Sequence, residues 1–111
     1  MKLRIGERLI LLGILPNEGN FATLKIVRKL QAELSFDEKE FKEYSIVQEG
    51  DKVNWSAKKD IEKPKDVVIG EKANDIIFEA LKKLDNENKL TQDHFSLCEK
   101  FNILNEDIKN G

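Results

Sequence analysis

The chain has 111 residues, of which 40% are hydrophobic and 36% charged, and a formal net charge of -2. That allows one domain with a modest core, and the longest apolar run, residues 9–12, falls far short of the roughly 20 residues a membrane span needs. A single cysteine, Cys98, excludes an internal disulfide framework and suits a reducing compartment, so a cytoplasmic protein is expected.

Charge is unevenly spread. Residues 1–34 carry six Lys/Arg against three Glu, a net +3, whereas the other 77 residues carry 13 bases against 18 acids, a net -5. Such a split can steer a partner or help copies assemble head to tail. General nucleic-acid binding wants a stronger basic excess. The opening Met1-Lys2-Leu3-Arg4 begins with positive charge as a signal peptide would. However, Glu7 and Arg8 interrupt the apolar region and no small-x-small cleavage pattern follows.

In chain order, residues 3–15 form an expected helix that is apolar nearly all round in its second half, so it is buried on most sides or hides a face against a partner. Pro16 stops it, because proline disfavours helical geometry at the residue before it. Gly19-Asn20 makes a turn, with Asn20 the expected N-cap of an amphipathic helix over residues 21–34. In that helix Phe21, Leu24, Val27, Leu30 and Leu34 recur at helical spacing, and Lys25, Arg28 and Lys29 share the polar side.

Ser35-Phe36-Asp37-Glu38 matches a capping box and opens a short third helix through Phe41. Residues 44–48 and 52–56 read as strands, and Glu49-Gly50-Asp51 is the hairpin turn between them. Residues 57–66, dominated by Lys, Asp and Glu around Pro64, read as an exposed loop. Residues 67–69 form a short strand that Gly70 ends. The clearest helix is residues 71–84, where Ala73, Ile76, Ile77, Ala80, Leu81 and Leu84 follow the helical period without a miss. Thr91 caps a last helix over residues 92–104 with Phe95, Cys98 and Phe101 inward, and residues 105–111 are a frayed tail.

The expected fold is therefore α+β and mostly helical, in a single domain. Residues 1–56 resemble a winged-helix arrangement of three helices followed by a two-stranded wing, and residues 67–104 add the strand and a C-terminal helical hairpin.

Each candidate site competes with a plain structural role. The Pro-Asn-Glu-Gly-Asn break at residues 16–20 has one glycine and no Gly-Lys, so it is no phosphate loop. What remains is a helix N-terminus at Phe21, one turn from Lys25. If copies converge, Lys25, Arg28 and Lys29, with Arg4 and Arg8, form a candidate site for a small anionic ligand. The alternative is a solvated basic face. As a DNA reader, a winged helix would present its third helix to phosphate, but residues 35–43 hold four acids against two lysines. Such a helix is repelled. Nucleic acid is thus not the expected partner.

Asp85 onward looks briefly like a calcium loop, yet Leu90, Gln92 and Ser96 stand at positions six, eight and twelve, where glycine, an apolar residue and glutamate are needed. His94 and Cys98, four apart on one helix, supply at most half a structural zinc site. They read instead as a boundary residue and a small buried apolar one. No catalytic residue, metal site or cofactor is nominated, and no carboxylate pair stands in apolar surroundings that would raise its pKa.

Two segments carry a resemblance. Glu7-Arg8-Leu9 through Leu15-Pro16, with Glu18-Gly19-Asn20-Phe21 and Thr23-Leu24-Lys25, is the first. The second is Ile69-Gly70-Glu71-Lys72-Ala73 onward, with Lys89-Leu90-Thr91 and Glu99-Lys100-Phe101. Together they resemble small accessory proteins of tailed bacterial viruses and prophages. The resemblance implies a viral accessory role in the host cytoplasm and transfers no catalytic residue. The leading expectation is a non-catalytic protein that binds a host or viral macromolecule, as a homo-oligomer. It rests on more apolar helix surface than so small a fold can cover. The alternatives are an oligomer that sequesters an anionic ligand such as a nucleotide signal, and a winged-helix DNA-binding regulator.

Overall fold

The structure, a computed structural model, describes residues 1–104; the tail expected at residues 105–111 lies outside them. The elements run β1 (Lys2–Leu3), α1 (Ile5–Ile14), α2 (Phe21–Leu34), α3 (Glu38–Glu43), β2 (Val47–Glu49), β3 (Lys52–Asn54), α4 (Ala57–Glu62), β4 (Lys65–Asp66) and α5 (Glu71–Asn86). A 3-10 turn, Gln92–His94, leads into α6 (Phe95–Lys100). The fold is mostly helical α+β, as the sequence indicates.

Local chemistry sets these boundaries. Leu15 takes extended backbone, ψ 139°, because Pro16 crowds the helical alternative, and α1 stops there. Asn20 Oδ1 accepts the Thr23 amide at 2.8 Å and starts α2. The expected capping box at Ser35 is displaced by two residues. Ser35 still belongs to the end of α2, where its amide and hydroxyl both donate to the Gln31 carbonyl. Asp37 takes over: Oδ1 accepts the Glu40 amide at 2.7 Å and its own amide donates to Glu40 Oε1 at 3.3 Å.

Three helices end alike without glycine. After α3, α5 and α6 the chain turns left-handed at Ser45, Asn88 and Asn102, with φ between 52° and 56°. The next amide reaches back five residues in each case: Ile46 to Phe41, Lys89 to Leu84 and Ile103 to Cys98.

The core is Leu3, Leu11, Leu15, Val27, Leu30, Leu34, Val67, Ile77, Leu81, Leu97, Phe101 and Ile103. The expected order of three helices and a hairpin is present, but α5 packs on both α1 and α2 and completes the central trio. The short α3 buries no residue fully. The hairpin β2–β3 is antiparallel, with Glu49 opposite Lys52 and Gly50 at φ 61° in the turn. Its strands lie largely in solvent.

Three expectations are corrected. Residues 57–66 are not an exposed loop: Ser56 Oγ accepts the Lys59 amide and caps α4, whose Asp60 is buried. The strand expected at residues 67–69 lies earlier, where Lys65 and Asp66 pair antiparallel with Leu3 and Lys2. Val67 then enters the core while Val68 is 84% exposed. The last helix is shorter than 92–104 and rotated, so that Leu97 is inside and Phe95 outside.

Candidate functional site

Two groups of charged residues face opposite fates, beginning with Arg8. Although it is an expected ligand for an anion, Arg8 is 1% exposed. Its Nη1 donates to Glu40 Oε2 at 2.6 Å, Nη2 to Glu40 Oε1 at 3.2 Å and to the Ser35 carbonyl at 2.7 Å, and Nε to the Leu34 carbonyl at 3.0 Å. The guanidinium also lies 4.0 Å over the Phe36 ring. This bidentate fork ties α1 to the end of α2 and to α3. Burial would raise the Glu40 carboxyl pKa, but the Arg8 hydrogen bond and charge, the Asp37 amide and the Lys65 charge outweigh it and lower it.

Glu7, one residue earlier, is also buried. Its Oε1 accepts the Arg4 amide at 2.9 Å and Lys100 Nζ at 2.7 Å, and Oε2 accepts Ser96 Oγ at 2.8 Å. Here too burial pushes the pKa up, while the Arg4, Lys100 and Ser96 hydrogen bonds carry it below the ordinary value. Asp60, the third buried charge, accepts the Ile5 amide through Oδ1 at 2.8 Å. Glu7, Asp60, Trp55 and Lys100 line a cleft of about 650 Å³ beside the start of α1. The polar groups of its floor already hold α1, α4 and α6 together.

Arg4, Lys25, Arg28 and Lys29 are exposed. Phe21, Leu24, Lys25 and Arg28 recur at the helical spacing, so they form one outward stripe on α2. The pattern that put Phe21 and Leu24 into the core is thus corrected: Phe21 is 78% exposed and Lys25 Nζ lies 5.8 Å from its ring centroid. Val27, Leu30 and Leu34 alone carry the inward side to full burial. The structure therefore brings Lys25, Arg28 and Lys29 onto one helix and removes Arg8 from the anion set.

A third region had no signal in the sequence. Leu90, Phe95, Cys98, Ile103 and Leu104 line a groove of about 520 Å³, with Asp85 and Glu99 at its edge. Phe95 is 59% and Leu104 68% exposed. Burial, then the Asp85 charge, raises the Cys98 thiol pKa, which disfavours a reactive thiolate. His94 Nδ1 accepts the Thr91 amide at 3.0 Å and so closes the turn before α6. No group of three or more metal-capable side chains occurs among the described residues. No described helix is long and apolar enough to cross a membrane.

Comparison with family models, with curated proteins and with solved structures finds no match for this chain.

Proposed function

We propose that this chain is a non-catalytic accessory protein of a tailed bacterial virus or prophage that acts in the host cytoplasm. It binds a host or viral macromolecule, and it does so as an oligomer. One observation supports this above others: Phe21, Phe95 and Leu104 stand mostly in solvent although large apolar side chains are the usual substance of a core. Covering one such side chain contributes about 1.5–3 kcal/mol, so a surface bearing several of them favours a partner. The buried ionisable groups Glu7, Arg8 and Asp60 are engaged in holding helices together, which supports binding over catalysis. The viral context rests on the resemblance of the two segments described above.

The anionic-ligand reading loses Arg8 to the Glu40 pair and keeps only an exposed face. The DNA reading meets an α3 with Glu38 and Glu43 and a hairpin tip with Glu49 and Asp51. These acids repel phosphate. The test is capture from phage-infected lysate with the wild-type chain and with Phe21→Ser and Phe95→Ser. A specific macromolecule retained by wild type and lost from a folded variant is the expected result. Identical capture by all three chains overturns the reading.

A further inference from the structure

We infer that the cleft beside the start of α1 binds an organic cation, an alkyl ammonium or guanidinium group, with Asp60 as its counter-ion and the Trp55 indole as its wall. Of the three buried charges, Arg8 is answered by Glu40 and Glu7 by Lys100. Asp60 is only 6% exposed and has no ion-pair partner among the described residues. Its Oδ1 accepts the Ile5 amide at 2.8 Å, and the start of α1 adds about half a positive charge. Its Oδ2 has no hydrogen-bond partner among the described residues, yet it is not sealed from solvent. Buried charges are normally paired, and Asp60 lines the cleft from which a cation can complete the pair.

The other walls suit the same group. Asp60 holds Ile5 and the Trp55 ring sits against Gly6, where an added Cβ would lie 3.6 Å from it, so both side chains converge on one turn of α1. Indole is the strongest cation–π partner among the side chains, and Leu9 and Ile10 give a carbon stem apolar wall. Asp93, exposed on the lining, also has no ion-pair partner among the described residues. Glu7 and Lys100 cancel each other, which leaves Asp60 and Asp93 against the exposed Arg4 and the lining at a net -1. An anion entering here meets the Asp60 charge as repulsion, whereas a cation gains it as attraction. A cleft of about 650 Å³ has the size of an ordinary small-ligand pocket.

The experiment is calorimetry on the full chain, with the indole N–H resonance of Trp55, its single tryptophan, reporting on the cleft. The probes are diaminobutane and butylguanidine as free cations, a blocked lysine tripeptide as a side-chain-borne one, and butyrate as the matched anion. The cations should bind and shift the Trp55 resonance, and butyrate should do neither. Asp60→Asn keeps an oxygen for the Ile5 amide and should weaken cation binding about tenfold or more, with circular dichroism checking the fold. Asp93→Asn, at an exposed position, should weaken it about twofold. Arg4→Gln leaves the backbone amide that Glu7 accepts in place and should not weaken it.

Binding of the free cations supports the site with a small molecule as its ligand; binding of the tripeptide alone supports it with a partner's basic side chain as the source. No cation binding, an affinity that Asp60→Asn leaves intact, or a preference for butyrate overturns the inference. If Asp60→Asn does not fold, Trp55→Leu decides: a loss of about fivefold supports the site and an unchanged affinity overturns it. Failure here leaves the capture of a macromolecule through Phe21 and Phe95 untouched, and failure of that capture leaves this cleft untouched.

Discussion

The starts of α1 and α2 show opposite arrangements of the same kinds of residue. At α1, charged Glu7 and Arg8 lie inside and every polar contact is answered, with Arg8 forked onto Glu40 and Glu7 held by Lys100 and Ser96. At α2, apolar Phe21 and Leu24 lie outside beside bases that have no ion-pair partner among the described residues. A buried charge must be partnered within the molecule, whereas an exposed ring can wait for a partner from outside. The first region holds the fold together, and the second is a surface on which the proposed recognition depends.

The sharpest way to break this contrast is Arg8→Met, which strips the Leu34 and Ser35 carbonyls of their donor and leaves Glu40 with only Lys65, at 4.0 Å, as a cation. It should cost about 3–5 kcal/mol of stability by denaturant titration; a loss below 1 kcal/mol would mean the fork contributes little. Lys100→Met removes one of three donors to Glu7, and because Lys100 is itself partly in solvent, about 1–2 kcal/mol is expected.

Acid supplies a third test. The Glu7 and Glu40 carboxyls both sit below the ordinary 4.5 in the folded chain. Their contribution is complete above that pH and is lost as pH falls through the lowered folded values. Thermal unfolding should therefore shift downward on acidification below pH 4.5, and Glu40→Gln should flatten that shift. Ser45→Gly has the opposite sign. It relieves a left-handed serine behind α3 and should stabilise the chain by about 0.5–1 kcal/mol. Smallest of all, Phe21→Ser and Phe95→Ser should each change monomer stability by no more than about 0.5 kcal/mol while reducing association. A large stability loss there would place these rings in the core's service after all.

Much of the frame was legible because it is written in local terms. The period of Ile76, Ile77, Ala80 and Leu81 fixes α5, Asn20 and Pro16 mark the ends flanking the first turn, and Gly50 marks the hairpin. What escaped depended on distant partners. Spacing alone does not say that Leu97 rather than Phe95 turns inward, since both belong to credible stripes and only the packing against Phe101 and Ile103 decides. The Ser35 box lost to Asp37 because Ser35 caps the end of α2, its amide and hydroxyl both donating to the Gln31 carbonyl. The αL stops at Ser45, Asn88 and Asn102 carry no glycine to announce them.

The candidate site was the least legible part. Arg8 sat in an apolar run, and that was the available sign that it would be interior and paired. The groove is assembled from residues 85 to 104 only after the chain folds, so no spacing rule reveals it.

The lone indole of the chain, Trp55, follows the solvent-lying hairpin and sits against Gly6, whose added methyl carbon would come within 3.6 Å of the ring. Its fluorescence is therefore a built-in gauge of whether the hairpin arm stays seated on the first helix. Amide ellipticity follows the helical trio instead. If the arm lifts before the trio melts, emission will redden at a lower denaturant concentration than ellipticity falls, and the separation will measure how loosely the arm is fastened.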